Sequence, residues 1–187
     1  MRVFLDFEAS SLSDDGYPIV VGWVFEDGGR ESHLIRPAPD WIDWDASAEA
    51  LHGISRSVLE AEGTAHDVVA RRILEALGEH TVYASAPSWD GKWLSVLLRA
   101  AGLPRHAMRL KDSDEAFLDA AAEELAQAMP SAQVKALAAE IVEQVLSANA
   151  RRTVRHRALA DAEQEWQIWL EVRQAAQDRA APKRPGA

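Results

Sequence analysis

The chain opens on a short run, Arg2 to Glu8, in which Val3, Phe4, Leu5 and Phe7 surround two acids, Asp6 and Glu8. Apolar residues on alternate faces of so short a run predict a strand covered on both sides. A polar loop follows from Ala9 to Tyr17. Pro18 to Phe25 is β-branched and apolar, a second strand. Glu26-Asp27-Gly28-Gly29-Arg30 has the Asp-Gly and Gly-Gly pairs that supply positive φ, and so predicts a hairpin turn. Glu31 to Arg36 returns as a third strand, ended by Pro37 and Pro39. The opening is an antiparallel meander.

Beyond it the apolar spacing changes from two to three or four. Ala46 to Leu51 predicts a short helix stopped at His52-Gly53, and Ser55 caps another through Glu60. Thr64 is placed to cap a longer helix with Val68, Val69, Ile73, Leu74 and Leu77 on one stripe and Gly78 at its end. His80 to Ala84 reads as a short strand. Ser88 then suits an N-cap for a helix from Trp89 to about Ala101, closed by Gly102 and Pro104. Met108 to Lys111 suits a short edge strand. Residues 113–129 and 131–148 are Ala/Glu/Leu-rich helices broken at Met129-Pro130. A basic connector, Asn149 to His156, leads to a last helix from Arg157 to about Arg179, with Leu159, Ala162, Trp166, Trp169 and Leu170 on its stripe. Strands followed by alternating helices and strands predict one α/β domain over residues 1–180 with a mixed sheet, and residues 181–187 as a disordered tail.

Composition narrows the field. The 187 residues are 48% hydrophobic and 27% charged, as in a soluble globular domain. With no cysteine, disulfides and thiolate metal sites are excluded. The first strand begins at once, without a signal-like segment, and no apolar run is long enough for a membrane span, so the cytoplasm is expected. The net charge of −10 argues against a broad nonspecific grip on nucleic acid. That charge is uneven. Residues 151–187 hold eight Arg or Lys against five acids, which leaves −13 on the first 150 residues.

The candidate chemistry begins with Asp6 and Glu8, two residues apart and so on one face of the strand, roughly 7 Å apart. Buried carboxylates are costly as bare anions, and a hard divalent cation with oxygen ligands removes that cost. Two downstream positions can join them. Asp90 falls in line with Leu94, Leu97 and Leu98 on the face of its helix. Asp161 falls in the first turns of the last helix, and His156 stands just ahead of it.

The ordered set Asp6-Phe7-Glu8-Ala9-Ser10-Ser11-Leu12, Asp90-Gly91-Lys92-Trp93-Leu94 and His156-Arg157-Ala158-Leu159-Ala160-Asp161 resembles the DEDD-type, DnaQ-like 3′–5′ exonucleases, in the branch with histidine in the third motif. His52-Gly53-Ile54-Ser55 is similar to a stretch such proteins often carry between the first two motifs. The residues before Asp90, Ala84 to Trp89, depart from the Asn-Ala common there. The resemblance covers about residues 1–175. It implies an RNase H-like fold: a mixed five-stranded sheet of order 3-2-1-4-5, the antiparallel meander followed by parallel strands, flanked by helices.

It further implies that Asp6, Glu8, Asp90 and Asp161 hold two Mg²⁺ or Mn²⁺ ions and that His156 is the general base, a role for which histidine suits by its ordinary pKa. The reaction would release nucleoside 5′-monophosphates from single-stranded RNA or DNA with a free 3′ end. The size of the chain, without polymerase or helicase parts, leans toward short RNA and toward the homodimer many such enzymes form. Leu51, His52 and Ile54 are candidates for the terminal-nucleotide pocket, with core packing of Leu51 and Ile54 the equal alternative. Trp41, Trp44, Trp89 and Trp93 are candidates for stacking on bases, with core packing favoured for the last two. Arg151, Arg152, Arg155 and Arg157 are candidates for phosphate contacts. Two other readings stand beside this one: a catalytically silent binding module on the same fold, and a DNA proofreading or repair exonuclease.

Overall fold

The computed structural model describes residues 1–150 and 156–181. Arg151, Arg152 and Arg155 lie outside the described residues. The elements run β1 (Arg2–Ala9), β2 (Pro18–Phe25), β3 (Arg30–Arg36), α1 (Ala46–His52), α2 (Arg56–Glu62), β4 (Thr64–Ala65), α3 (His66–Leu77), β5 (Thr81–Ala84), α4 (Pro87–Ala100), β6 (Leu110–Asp112), α5 (Ser113–Leu125), α6 (Ser131–Asn149) and α7 (Ala158–Ala180).

The strands form one sheet in the order β4-β3-β2-β1-β5-β6. The meander pairs antiparallel, β1 with β2 and β2 with β3. β5 joins β1 in parallel, and β6 joins β5 in parallel. The expected order of five strands is present, and the sheet has a sixth. Thr64 and Ala65 pair in parallel with Ile35 and Arg36 instead of capping a helix. The cap of α3 is therefore Ala65, which makes no side-chain cap bond. A second expectation also shifts. α4 starts two residues early, with Ala86 as N-cap and Pro87 in its first turn, where proline's missing N–H costs nothing. Ser88 lies inside that turn.

Other local readings hold. Ser55 caps α2 by accepting from Val58 N, and Gly53 ends α1 in the left-handed region at φ 65°. The hairpin after β2 turns through Gly28 at φ 90°. In α7 the buried residues are Ala158, Ala162, Ile168, Trp169, Val172 and Ala176; Leu159, Trp166 and Leu170 of the expected stripe are only half-buried.

The described chain falls into two compact units. One holds residues 1–112 and 156–163; the other holds 113–150 and 164–181. The first unit has a continuous core in which Phe7, Tyr17, Ile19, Trp23, Leu59, Ile73, Leu94 and Leu97 are buried. In the second, Arg173 bridges Glu124 at 2.8 Å and lies over the Trp169 ring, while Asn149 donates to Glu171 at 2.7 Å. No helix among the described residues is long and apolar enough to cross a membrane.

Candidate metal centre

Strand register decides what stands beside the two acids of β1. Asp6 is paired with Gly22 and Glu8 with Val20; on the next strand Gly22 is paired with Ser32 and Val20 with Leu34. Directly paired residues share a face, so Asp6-Gly22-Ser32 and Glu8-Val20-Leu34 are two adjacent rows. Gly22 leaves a gap in the first row, and the start of α7 fills it. A Cβ at Gly22 would lie 2.5 Å from Leu159 Cα and collide with Leu159 N. This close approach sets the first turn of α7 against the sheet and carries Asp161 to β1.

Asp6, Glu8 and Asp161 then meet, each offering a carboxylate oxygen, with the three oxygens within 4.8 Å of one another. Asp161 is held from behind: its Oδ2 accepts from Arg157 N at 3.1 Å, and its own N–H donates to Arg157 O. The crowding has an electrostatic signature. The Glu8 carboxyl is raised to about 7, first by burial and then by Asp161, with Arg157 opposing and Asp90 adding. Three half-buried acids of this kind are hard oxygen donors suited to a divalent cation, and the spacing fits a single ion.

Asp90 stands outside that group of three. β1 pairs with β5 only over Arg2–Phe4, so the Phe7 N–H beyond finds no strand partner on that side. Asp90, buried on α4, accepts it through Oδ1 at 3.2 Å. The acid is thus anchored to the same strand, one residue from each of the other two, and its charge is felt at Glu8.

His156 is half-buried and also outside the group of three. Its backbone has φ 49°, the one positive value at a non-glycine among the described residues. Such a conformation persists where its surroundings impose it, often at functional positions. His156 and Arg157 together help hold the His52 ring below its ordinary pKa, behind the larger effect of burial.

The residues expected to bound a nucleotide pocket separate. Ile54 lines a recess of about 220 Å³ beside Glu8, with Val20, Ser32, Leu34, Arg157 and Leu159. His52 is buried, and its Nδ1 accepts from Ile54 N at 3.1 Å, so it shapes the segment from within. Leu51 is 62% exposed, outside the core and outside the recess. Trp93, at 3% exposure, belongs to the core, the alternative favoured for it, stacked on Trp89 with the Lys92 amino group over its ring. Trp41 is likewise buried, stacked on Tyr17, with its carbonyl taken by Arg56. Trp44 donates to Glu49, and Trp89 keeps an exposed face. Sequence reasoning missed Val20, Ser32 and Leu34. Their signal was strand alternation, which places them beside Glu8 once the register is known.

A mixed sheet with this order, flanked by helices, matches the RNase H-like fold of exonuclease I. Structures of E. coli exonuclease I are among those similar to the chain. Its zinc-bound complex with single-stranded DNA matches at TM-score 0.64 and 17% identity, covering 96% of this chain and 41% of that one. Its complex with a dT13 oligonucleotide matches at 0.64 and 16%, covering 95% and 42%, and its product-bound structure at 0.63 and 16%, covering 96% and 44%. This chain thus spans about two fifths of the exonuclease I chain. At such identity the likeness establishes the fold. No family model and no curated protein matches the sequence.

Proposed function

We propose that the chain is a metal-dependent 3′–5′ exonuclease of single-stranded nucleic acid, releasing nucleoside 5′-monophosphates. The observation that carries this reading is the convergence of Asp6, Glu8 and Asp161 on the central strand of an RNase H-like sheet. Those three residues would hold one divalent cation, and Asp90, anchored at Phe7 N–H, stands ready for a second. When bound, such ions lower the pKa of water and offset charge at the scissile phosphate. His156, ahead of α7, would accept the proton of the attacking water at a ring nitrogen. The recess of Ile54, Leu34 and Leu159 offers apolar walls to the terminal nucleoside, and Arg157 offers a cation at its mouth. Water adds to phosphorus as it loses its proton, the bond to the preceding 3′ oxygen breaks, and that oxygen takes a proton from solvent to leave as the new 3′ hydroxyl.

DNA is the first substrate to test, because the exonuclease I structures sharing this fold were obtained with dT13 and dA16. The lean toward RNA rested on chain length alone. The test uses 5′-labelled single strands of DNA and RNA with Mg²⁺ or Mn²⁺. A ladder shortening from the 3′ end is expected, absent with EDTA and absent in Asp6→Asn. Cutting of circular strands would show an endonuclease. Strand binding without cleavage under any of these metals would favour the silent binding module.

A further inference from the structure

The hairpin of α5 and α6 matches none of the sequence motifs discussed above, yet it carries an apolar groove. We propose that this groove is a docking site for a basic amphipathic helix of a partner protein. The groove, about 520 Å³, runs between the two helices. Its apolar lining is Leu118, Met129 and Val134 with the small side chains of Ala122, Ala126 and Ala138, and Asp119 and Lys135 line it as well. Leu118 is 40% exposed on a helix that could have buried it. Small side chains let another backbone approach closely, which suits a helix lying along the hairpin.

Charge selects the occupant. On α5, Glu115, Asp119 and Glu123 recur every four residues, so they form one row along the edge of the Leu118-Ala122-Ala126 stripe. Over residues 113–149 there are seven acids against a single base, Lys135. That balance repels a phosphate backbone, so the groove is no path for the nucleic-acid strand. It also repels a second copy of the same hairpin. A partner helix with an apolar stripe beside Lys or Arg satisfies the apolar lining and the acidic edge together. The inference stands apart from the exonuclease reading, since none of its residues belongs to the metal centre.

The experiment measures fluorescence anisotropy of labelled helical peptides, about 16 residues long, titrated with the full chain. One peptide has a Leu stripe beside Lys, one has the same stripe beside Glu, and one is a scrambled Leu/Lys sequence. The amphipathic Leu/Lys peptide is expected to bind at least tenfold more tightly than either of the others. Leu118→Ser and Asp119→Lys, both at exposed positions, should each weaken it at least fivefold. Glu79→Lys, with the same change of net charge in the first unit, should leave it unchanged. Equal loss in Glu79→Lys and Asp119→Lys would overturn the proposal, because the attraction would be general. So would equal binding of the scrambled peptide. Self-association of the chain that Leu118→Ser abolishes would overturn it too, by showing a second copy in the groove.

Discussion

Glu8 is the residue at which the site's electrostatics can be read without substrate. Its carboxyl sits at about 7, above the ordinary 4.5, because burial and Asp161 disfavour the anion. The folded chain therefore holds this proton more tightly than the unfolded chain. The associated stability is full below about pH 4.5 and is lost as pH rises toward 7. Thermal melts in EDTA should show Tm falling across that window, and Glu8→Gln should flatten the fall. A divalent ion needs the carboxylate deprotonated, so the stabilisation by millimolar Mn²⁺ should grow from pH 5 to 8 in the wild type. His156 is the residue proposed as the general base. It lies outside the ligand group, so His156→Ala should slow turnover by roughly 10²–10⁴-fold while leaving Mn²⁺ affinity nearly unchanged. Calorimetric titration of the variant with Mn²⁺ checks this, and a collapse of binding would make His156 a ligand.

At the scale of elements, the site depends on how α7 meets β2. Gly22 is the contact: it is paired with Asp6 on one side and lies under the Leu159 backbone on the other. Gly22→Ala should force the start of α7 away from the sheet. Backbone cannot yield as a flexible side chain does, so a cost of about 1–3 kcal/mol is expected. The displaced Asp161 should weaken Mn²⁺ binding and lower activity at least tenfold. Tm and Mn²⁺ titration of the variant test this together: lost stability with intact metal binding would mean that Gly22 serves packing only. The anchoring of Asp90 has a similar logic. It exists because β5 ends early and leaves Phe7 N–H to a side chain.

At the scale of the whole molecule, net charge governs the encounter with a polyanion. With −10 overall, few cations are available beyond Arg157, Lys92 and the basic connector. An enzyme that neutralises two or three phosphates of a single strand should show log kcat/KM falling with log salt at a slope of about −2 or shallower. Initial rates between low and physiological salt measure it. A slope several units steeper would require a broad basic surface that this composition does not offer.

The sequence determined what short-range physics controls. The alternation of Arg2 to Glu8 put Asp6 and Glu8 on one face, Asp27-Gly28 turned the hairpin, Ser55 and Gly53 set helix ends, and helical spacing placed Asp90 and Asp161 beside apolar stripes. Each depends on neighbours a few residues away. Tertiary structure decided the rest, because it depends on which strands pair and in what register. Thr64 became a strand when Ile35 was there to pair with it. Trp93 was buried and Trp89 left partly exposed when α4 packed on the sheet. Asp90 was turned to a backbone N–H by the early end of β5. Val20, Leu34 and Leu159 became walls of a recess only when the β2–β3 register and the gap at Gly22 brought three distant segments to Glu8.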